Sequence, residues 1–397
     1  MNYRFSARLG SFSSSAVREI LKLTQGDSVI SFAGGLPAEE HFPVTAISEA
    51  FERSMRLGKK ALQYGLTEGY LPLRESLGRR MARKGMNVTP DDMLITTGSQ
   101  QVIDLLSRIY IDPGDVILVE RPTYLSALQV FRSYGAVPVS VNGDKDGIDL
   151  ADLEAKLKQY RPKMLYVIPT FSNPTGRVWS EERRRGALKL CREADTLILE
   201  DDPYGELRFG DGSRTYPSIF SLDEHPQGSC VVYTSTFSKT VAPGLRTGWA
   251  LGDPEVIRQM ARAKQAADLQ SSSLDQQTLH QLLEHFDLDG HIELVRKEYE
   301  GRMRRMADLL RQYNWPGVSW EEPEGGMFFW VELPEEADTA ELLKTAVELG
   351  VAFVPGVTFF ADNPKRNAMR MNFSYNDASV TEIGMERLNR ALAGVLV

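Results

Sequence analysis

Short apolar runs alternate with amphipathic stretches between residues 93 and 251. Strands are predicted at residues 93–97, 116–120, 137–141, 164–169, 196–202, 231–235 and 248–251, and most of them have helical patterns between them. Residues 197–199 are continuously apolar, as expected of a strand that is buried on both faces. The alternation predicts an α/β fold, in which a mostly parallel seven-stranded sheet is sandwiched by helices.

The pattern changes on both sides of this block. Helices are predicted over residues 43–57, 70–84, 254–285 and 290–313, and Ser15 is a good N-cap for a helix over residues 16–24. After residue 317, strands at 327–332 and 369–373 mix with helices at 338–349 and 378–394, which predicts a smaller α+β domain. We expect an arm and helix (residues 1–45) that contribute to the small domain and cover the site, a large domain (46–285) and a small domain (286–397).

Charge and composition narrow the possible partners. The 46 basic and 54 acidic side chains give a formal net charge of -8, whereas a nucleic-acid-binding surface normally shows a basic excess. No apolar run approaches the roughly 20 residues that a membrane-spanning helix needs. Two cysteines make no disulfide framework and favour a reducing cytoplasm, although the first eighteen residues, which contain no acid, also resemble a transit peptide.

Metal and nucleotide motifs are not found. His280 and His285 lie five residues apart, which places them on different faces of a helix. Asn142 begins a segment like a calcium loop, but Leu153 stands where the bidentate glutamate would be needed. No Gly-x-Gly-x-x-Gly follows a strand, so a nicotinamide site has no anchor. We expect no metal.

Polar residues follow the ends of several predicted strands. Ligands in open parallel sheets bind at the carboxyl ends of the strands, so these residues are the candidates for a site. They are Ser99, Gln100, Tyr124, Asn173, Asp201, Tyr204, Thr236, Ser238 and Lys239.

Lys239 has an unusual setting for a lysine. Most lysines are solvated surface charges, but this one directly follows a strand, is flanked by hydroxyls such as Ser238, and is followed seven residues later by Arg246. The set resembles a phosphate cradle beside an amine. Ser99 and Gln100 open a helix, whose N-terminal N–H groups favour a phosphate, although a Gly-Ser pair there is more often only a cap.

Asp201 ends an apolar strand, where a carboxylate is either a turn former or a partner for a protonated pyridine nitrogen. In the second interpretation Tyr204 and Asn173 donate to the phenolic oxygen of the same ring, and Tyr124 stacks on it. Each residue has an ordinary alternative as a turn or packing residue.

Together these motifs resemble the fold-type I pyridoxal-phosphate enzymes, and specifically the class I and II aminotransferases. Ser172-Asn-Pro-Thr-Gly176, Asp201-x-x-Tyr204 and Ser238-Lys239 followed by Arg246 occur in the family's order and approximate spacing, and the resemblance runs from about residue 29 to residue 390. It implies pyridoxal 5′-phosphate as the cofactor, bound as a Schiff base on Lys239, which also shuttles the proton. Asp201 then resembles the partner of the pyridine nitrogen, and Tyr204 a second catalytic residue.

The resemblance also assigns the remaining candidates. Ser99, Gln100, Ser238 and Arg246 look like the phosphate cup, and Thr236 stands where many relatives have serine. Arg370, with Asn173, resembles the clamp on the substrate α-carboxylate. Tyr64 resembles a tyrosine that reaches the phosphate of the neighbouring subunit, which implies a homodimer with shared active sites.

Three segments are similar to the subgroup that contains 2-aminoadipate and kynurenine aminotransferases. They are residues 15–23, Gly34-Gly35-Leu36-Pro37 and Phe353-Val-Pro-Gly-Val357. This resemblance implies that Gly35 contacts the substrate and that Arg18 closes over it. Arg18 would neutralise a distal carboxylate, but it lies on the polar side of its predicted helix and is equally consistent with a solvated charge.

The implied reaction is a ping-pong transfer of an amino group from an L-amino acid to 2-oxoglutarate. Aromatic, branched or aliphatic, and acidic donors such as 2-aminoadipate all remain open. One alternative is a lyase or decarboxylase that uses the same cofactor. The other is the effector domain of a transcriptional regulator. A short apolar strand is predicted at residues 29–32, and we expect the roughly thirty residues before it to be too few for a DNA-binding module.

Overall fold

The computed structural model describes residues 1, 3–6, 9, 10, 20, 28–211, 214–223 and 226–394. Arg18 and nearly all of the helix predicted over residues 16–24 lie outside the described residues. None of the described helices is long and apolar enough to cross a membrane.

The strands and helices follow one another in the alternating order that the sequence predicts. The strands are β1 (Ile30–Ser31), β2 (Met93–Thr96), β3 (Val116–Glu120), β4 (Val137–Val141), β5 (Gly143–Asp144), β6 (Gly147–Ile148), β7 (Met164–Val167), β8 (Leu197–Asp201), β9 (Val231–Thr236), β10 (Gly248–Leu251), β11 (Ser319–Trp320), β12 (Phe328–Glu332), β13 (Val351–Ala352), β14 (Val354–Pro355) and β15 (Ala368–Asn372). The α-helices are α1 (Val44–Met55), α2 (Leu71–Ala82), α3 (Ser99–Tyr110), α4 (Leu125–Ser133), α5 (Leu150–Tyr160), α6 (Glu181–Glu193), α7 (Ile219–Leu222), α8 (Pro254–Gln265), α9 (Ser273–His285), α10 (Leu288–Tyr313), α11 (Thr339–Glu348) and α12 (Ala378–Leu392). Short 3-10 helices cover Glu39–His41, Gly58–Leu62, Pro90–Asp92, Pro243–Leu245 and Gly356–Phe359.

A seven-stranded sheet forms the centre of the fold, in the order β2-β10-β9-β8-β7-β3-β4. Strand β10 is antiparallel to both of its neighbours, whereas the pairs from β9 to β4 are parallel. The predicted α/β fold with a mostly parallel sheet is confirmed. The carboxyl ends of β3, β7, β8 and β9 therefore meet at one edge of the sheet.

Helices cover the central sheet on both faces. One apolar core contains α3, α4 and α8 together with sheet residues such as Tyr166 and Leu199. The opposite core contains α2, α5, α6 and α9 together with sheet residues such as Leu165, Ile198 and Tyr233. The division follows from the two-residue period of a strand, because neighbours along the chain face opposite ways. Asp201 therefore lies on the face of Leu199, and Asp202 lies on the face of Glu200.

A second sheet, in the order β11-β12-β15-β14, packs with α10, α11 and α12 around a separate core. Strand β1 pairs in parallel with β13, so the segment after Ser31 is joined to this part of the molecule. Arg370 lies in β15 between β12 and β14. This smaller unit mixes strands and helices, as predicted. The domain limits at residues 45 and 285 stay predictions.

One predicted element was wrong. The helical pattern over residues 254–285 is two helices, α8 and α9, with a break over residues 266–272. Leu269 in this break has a φ of +64°, which a helix cannot accommodate. Ser272 then caps α9 by accepting a hydrogen bond from the Asp275 N–H. The polar run Gln270-Ser271-Ser272-Ser273 is the sequence signal for this break.

Candidate active site

Lys239 lies just beyond β9, and its ammonium donates a hydrogen bond to the Gly35 carbonyl at 2.7 Å. Burial lowers the pKa of Lys239 to about 8, and the positive charges of Arg370 and Arg246 act in the same direction. An amine acts as a nucleophile only when it is deprotonated. A larger share of Lys239 is therefore neutral at ordinary pH than of a solvated lysine.

Asp201 is the last residue of β8 and is 2% exposed. Its Oδ2 accepts a hydrogen bond from the Tyr166 hydroxyl at 2.8 Å, whereas its buried Oδ1 has no hydrogen-bond partner among the described residues. Burial raises the pKa of Asp201 to about 7, the Tyr166 hydrogen bond opposes the rise, and the charge of Asp202 adds to it. An unpartnered buried carboxylate oxygen is costly unless a donor or cation binds there.

A cradle for an anion forms where β2 turns into α3. Gly98 has a φ of +76°, and a Cβ built on it would lie 2.7 Å from Arg246 Nη2. Arg246 is exposed, and its hydrogen bonds to Ser238 Oγ at 3.4 Å and to the Thr97 carbonyl at 3.5 Å are long. The guanidinium therefore has N–H donors left for a ligand. The guanidinium, the Ser238 hydroxyl and the first turn of α3 are together suited to a phosphate group.

Thr236 supports this cradle from β9. Its hydroxyl lies 2.9 Å from Ser238 Oγ, donates to the Thr247 carbonyl at 3.0 Å and accepts the Ser238 N–H at 3.2 Å. Thr236 therefore holds the Ser238 side chain, whose hydroxyl also accepts a hydrogen bond from Arg246.

Arg370 is a buried cation. Its guanidinium donates to Asn173 Oδ1 at 2.7 Å and to the Ala33 carbonyl at 2.6 Å, and its Nε has no described partner. Its Cζ lies 4.3 Å from the centre of the Phe328 ring and 5.1 Å from that of Phe359. Burial lowers the pKa of Arg370 to about 10. A buried cation held only by neutral groups is suited to an anionic ligand.

Two phenols and an amide complete the arrangement between Arg370 and Asp201. Asn173 and Tyr204 are hydrogen-bonded to each other, and burial raises the pKa of Tyr204. Burial also raises the pKa of Tyr124, and the nearby charges of Asp201 and Arg370 contribute to that pKa. The structure therefore brings Tyr124, Asn173 and Tyr204 together with both charged groups, as the strand-end argument expects.

Three predicted residues are placed less directly. Ser99 opens α3, and its backbone N would lie 2.7 Å from a Cβ built on Gly248. Gln100 is half-buried, and its neighbour Gln101 makes the hydrogen bonds: its Oε1 accepts from the Thr97 N–H at 2.8 Å and from Lys264 Nζ at 2.8 Å. Tyr64 is 78% exposed, so its side chain projects away from the described residues.

Sequence reasoning missed Tyr166, Gln101 and the two rings beside Arg370. Tyr166 looked like one more apolar residue in a strand. Its parallel register opposite Leu199 places it on the Asp201 face, but register is known only after the strands are paired. Phe328 could have been suspected, because it lies two residues from Trp330, the partner of Arg370 across β12 and β15.

These groups fit pyridoxal phosphate. The unpartnered Asp201 Oδ1 suits a protonated ring nitrogen, and the cradle against Gly98 suits a phosphate. Lys239 supplies the amine that an aldehyde needs, and the Asn173 and Tyr204 side chains supply neutral polar groups between them. All of these features are observed in the protein itself.

Comparisons with known proteins agree with the geometry. Residues 27–388 match the family of class I and II aminotransferases. The chain is 42% identical over 391 residues to aromatic-amino-acid aminotransferase 1 of Thermococcus litoralis, covering 97% of this chain and 93% of the relative. A solved kynurenine aminotransferase of Pyrococcus horikoshii superposes with a TM-score of 0.93 at 40% identity, covering 99% and 98% of the two chains. LysN, an alpha-aminoadipate aminotransferase of Thermus thermophilus solved with N-(5'-phosphopyridoxyl)-L-leucine, superposes with a TM-score of 0.91 at 38% identity, covering 99% and 98%.

The chain therefore belongs to the class I and II aminotransferases. It is an enzyme that transfers amino groups and uses pyridoxal 5′-phosphate as its cofactor. The resemblance to the subgroup that contains 2-aminoadipate and kynurenine aminotransferases is confirmed.

Proposed function

We propose that this aminotransferase moves the amino group of an L-amino acid to 2-oxoglutarate by a ping-pong mechanism, with Lys239 as the lysine that binds the cofactor. The single observation that carries the proposal is the setting of Lys239, whose pKa is lowered to about 8 by burial and by the charges of Arg370 and Arg246. When bound, pyridoxal phosphate supplies the aldehyde carbon that takes the amino group and a ring that accepts the electrons released at the substrate Cα.

The residues around Lys239 divide the work of binding. Asp201 would hold the ring nitrogen through its free Oδ1, Asn173 and Tyr204 would donate to the ring's phenolic oxygen, and Tyr124 would lie against the ring. Ser99, Gln100, Thr236, Ser238 and Arg246 form the phosphate cup. These roles rest on the convergence of neutral donors, one carboxylate and one exposed guanidinium at a single edge of the sheet.

Arg370 holds the substrate α-carboxylate, with Asn173 orienting its guanidinium. Its fixed position between Phe328 and Phe359 aligns the substrate so that the Cα–H faces the lysine. Lys239 would take the Cα proton of the substrate on its amine and later give it up again, because its lowered pKa suits it to act as base and then as acid.

The substrate class follows the relatives' names: aromatic amino acids, kynurenine and alpha-aminoadipate. We propose L-amino donors of aromatic, branched or aliphatic, and 2-aminoadipate type. Gly35 borders the substrate, because its carbonyl holds Lys239 and a Cβ on it would lie 3.3 Å from Phe328 Cζ. Arg18 is proposed to neutralise a distal carboxylate and lies outside the described residues.

The active unit is proposed to be a cytoplasmic homodimer. Leu62, Tyr64 and Leu66 are 65%, 78% and 63% exposed, and Leu269 is 58% exposed. The Gly65 N–H binds the Gln270 side chain, so these apolar residues are neighbours on one surface. Such a patch marks an interface, and a second copy would place Tyr64 at the neighbouring phosphate cup.

A panel of amino donors with 2-oxoglutarate tests the proposal. Wild-type protein should form glutamate from at least one of the three donor types, whereas Lys239→Ala should form none and lose the absorbance of lysine-bound cofactor. Arg18→Ala should lower the activity with 2-aminoadipate more than the activity with leucine. Glutamate formation by Lys239→Ala would refute the role of Lys239, and equal losses for both donors would refute that of Arg18.

A further inference from the structure

Two tyrosines of the central sheet make the same bond to adjacent carboxylates. Tyr166 in β7 donates to Asp201 Oδ2 at 2.8 Å, and Tyr233 in β9 donates to Asp202 Oδ2 at 2.9 Å. Both tyrosines are fully buried. Because Asp201 and Asp202 are consecutive, their side chains face opposite sides of the sheet, and so do the two tyrosines.

The two carboxylates differ in what their second oxygen does. Asp202 Oδ1 accepts the Gly205 N–H at 2.8 Å, so both of its oxygens are satisfied within the protein. Asp201 Oδ1 is buried without a described partner. The Tyr233–Asp202 pair is therefore complete, whereas the Tyr166–Asp201 pair leaves one acceptor open near Tyr124 and Tyr204, which also interact with Arg370.

We propose that Tyr166 is a positioning residue for the cofactor: its hydroxyl fixes one oxygen of Asp201, so that the other stays free for the ring nitrogen and the carboxylate stays ionised. The inference rests on the proposed role of Asp201. In this role Tyr166 acts through Asp201, to which its hydroxyl donates.

The surroundings of Asp201 explain why such a residue is needed. Burial raises the pKa of this carboxyl group to about 7, and the Asp202 charge acts in the same direction. The phenols of Tyr124 and Tyr204 also lie close enough to interact with it. The hydrogen bond from Tyr166 is the contribution that lowers the pKa, so without it Asp201 would be protonated more easily and would bind a ring cation less well.

Rigid placement points to the same role. The Tyr166 ring packs edge-on against Phe131, with ring centres 5.5 Å apart, and its backbone lies in register with Leu199 in the middle of the sheet. Its own pKa is raised well above the usual value by burial and by the Asp201 charge, so it remains a donor throughout the working range of pH.

Tyr166→Phe removes the hydroxyl and keeps the ring, and Tyr233→Phe is the matched control on the opposite face. The apoprotein of each variant is titrated with pyridoxal phosphate, and the holoprotein is titrated with base while the absorbance of the lysine-bound cofactor is followed. Unfolding midpoints of both apoproteins report on the sheet, since each variant loses one buried donor to a carboxylate.

Tyr166→Phe should raise the dissociation constant of the cofactor by about tenfold to a hundredfold, as expected for a lost hydrogen bond to a charged acceptor. Tyr233→Phe should change it by less than about threefold, although its apoprotein loses similar stability. The absorbance midpoint of Tyr166→Phe should move to higher pH. A ring nitrogen that holds its proton less firmly leaves less positive charge beside the lysine nitrogen, which then keeps its own proton longer.

Asp201→Asn distinguishes the proposed role of Tyr166 from the proposed role of Asp201. In that background Tyr166→Phe should have no further effect on cofactor binding, because the pair acts as a unit. If Asp201→Asn weakens binding but Tyr166→Phe behaves like Tyr233→Phe in both titrations, the role of Tyr166 is overturned alone. If Asp201→Asn binds the cofactor like the wild type, the proposed role of Asp201 fails, and the inference fails with it.

Discussion

At the scale of single residues, the site depends on charges that lack partners of opposite sign. Lys239 and Arg370 are held by backbone carbonyls and an amide, and Asp201 by one hydroxyl. Buried charges of this kind are unfavourable unless a ligand completes them. The ligands must therefore bring an anion for Arg370, a cation for Asp201 and a group that reacts with the Lys239 amine. Pyridoxal phosphate and an amino acid together have these groups.

The lowered pKa of Lys239 predicts how cofactor capture depends on pH. The neutral amine is the reactive form, so the rate at which apoprotein binds pyridoxal phosphate should rise with pH, reach half its maximum near pH 8 and then level off. Stopped-flow absorbance measures this rate. Arg370→Met should move the midpoint upward, since it removes a positive charge that lowers the pKa. A rate that keeps rising towards pH 10.5, the ordinary lysine value, would contradict the burial of Lys239.

The residues that sequence predicts best are those with a distinctive neighbourhood along the chain. Lys239 stands out along the chain because Ser238 precedes it and Arg246 follows seven residues later, and the family resemblance gives this pattern its meaning. Tyr166 cannot, because its importance depends on register with another strand. Gln101 and Gln100 are both polar at a helix start, and only the helix rotation decides which side chain binds Thr97 and Lys264.

At the scale of elements, the turn between β2 and α3 determines where the phosphate cup can form. Gly98 has a φ of +76° and no side chain, so the Arg246 guanidinium can lie against its backbone. Most strands were predicted to within a residue or two, because seven apolar runs of strand length alternate with helical patterns. The break between α8 and α9, where Leu269 has a positive φ, was missed although the polar run Gln270-Ser271-Ser272-Ser273 is a turn signal.

Gly98→Ala tests this element, with Gly114→Ala as its control. Both glycines have positive φ, but a Cβ on Gly98 would meet Arg246 Nη2 whereas a Cβ on Gly114 would meet nothing within 4 Å. Each substitution should cost about 1–2 kcal/mol of stability. Only Gly98→Ala should also weaken cofactor binding, by about tenfold or more as the guanidinium is displaced. Equal cofactor affinity in the two variants would remove Gly98 from the phosphate cup.

At the scale of the whole molecule, the site lies between the central sheet and the smaller unit. Lys239 and Asp201 come from the sheet, Arg370 comes from β15, and Gly35 follows β1. Sequence order predicts this assembly only through the family resemblance, because more than a hundred residues separate Lys239 from Arg370. Tyr64 remains exposed, and its proposed partner belongs to a second copy.

The proposed dimer predicts the effect of a charge in the apolar surface. Leu66→Asp should shift the protein from dimer to monomer in analytical ultracentrifugation and lower activity, because a buried unpaired carboxylate opposes association. Ile383→Asp is the control, an equally drastic change at an exposed apolar residue of α12. A Leu66→Asp protein that sediments and reacts like Ile383→Asp would place the interface elsewhere.

The central claim, that Lys239 binds the cofactor and is released by the amino donor, is tested most directly by borohydride trapping and peptide mapping. Reduction of the resting holoenzyme should attach the cofactor to Lys239. Lys264 provides an internal comparison, because its side chain is fully buried but is paired with Asp268 at 2.8 Å. Prior incubation with an amino donor alone should abolish the label, and 2-oxoglutarate should restore it. Labelling at Lys264, or a label on Lys239 that the donor does not remove, would contradict the account.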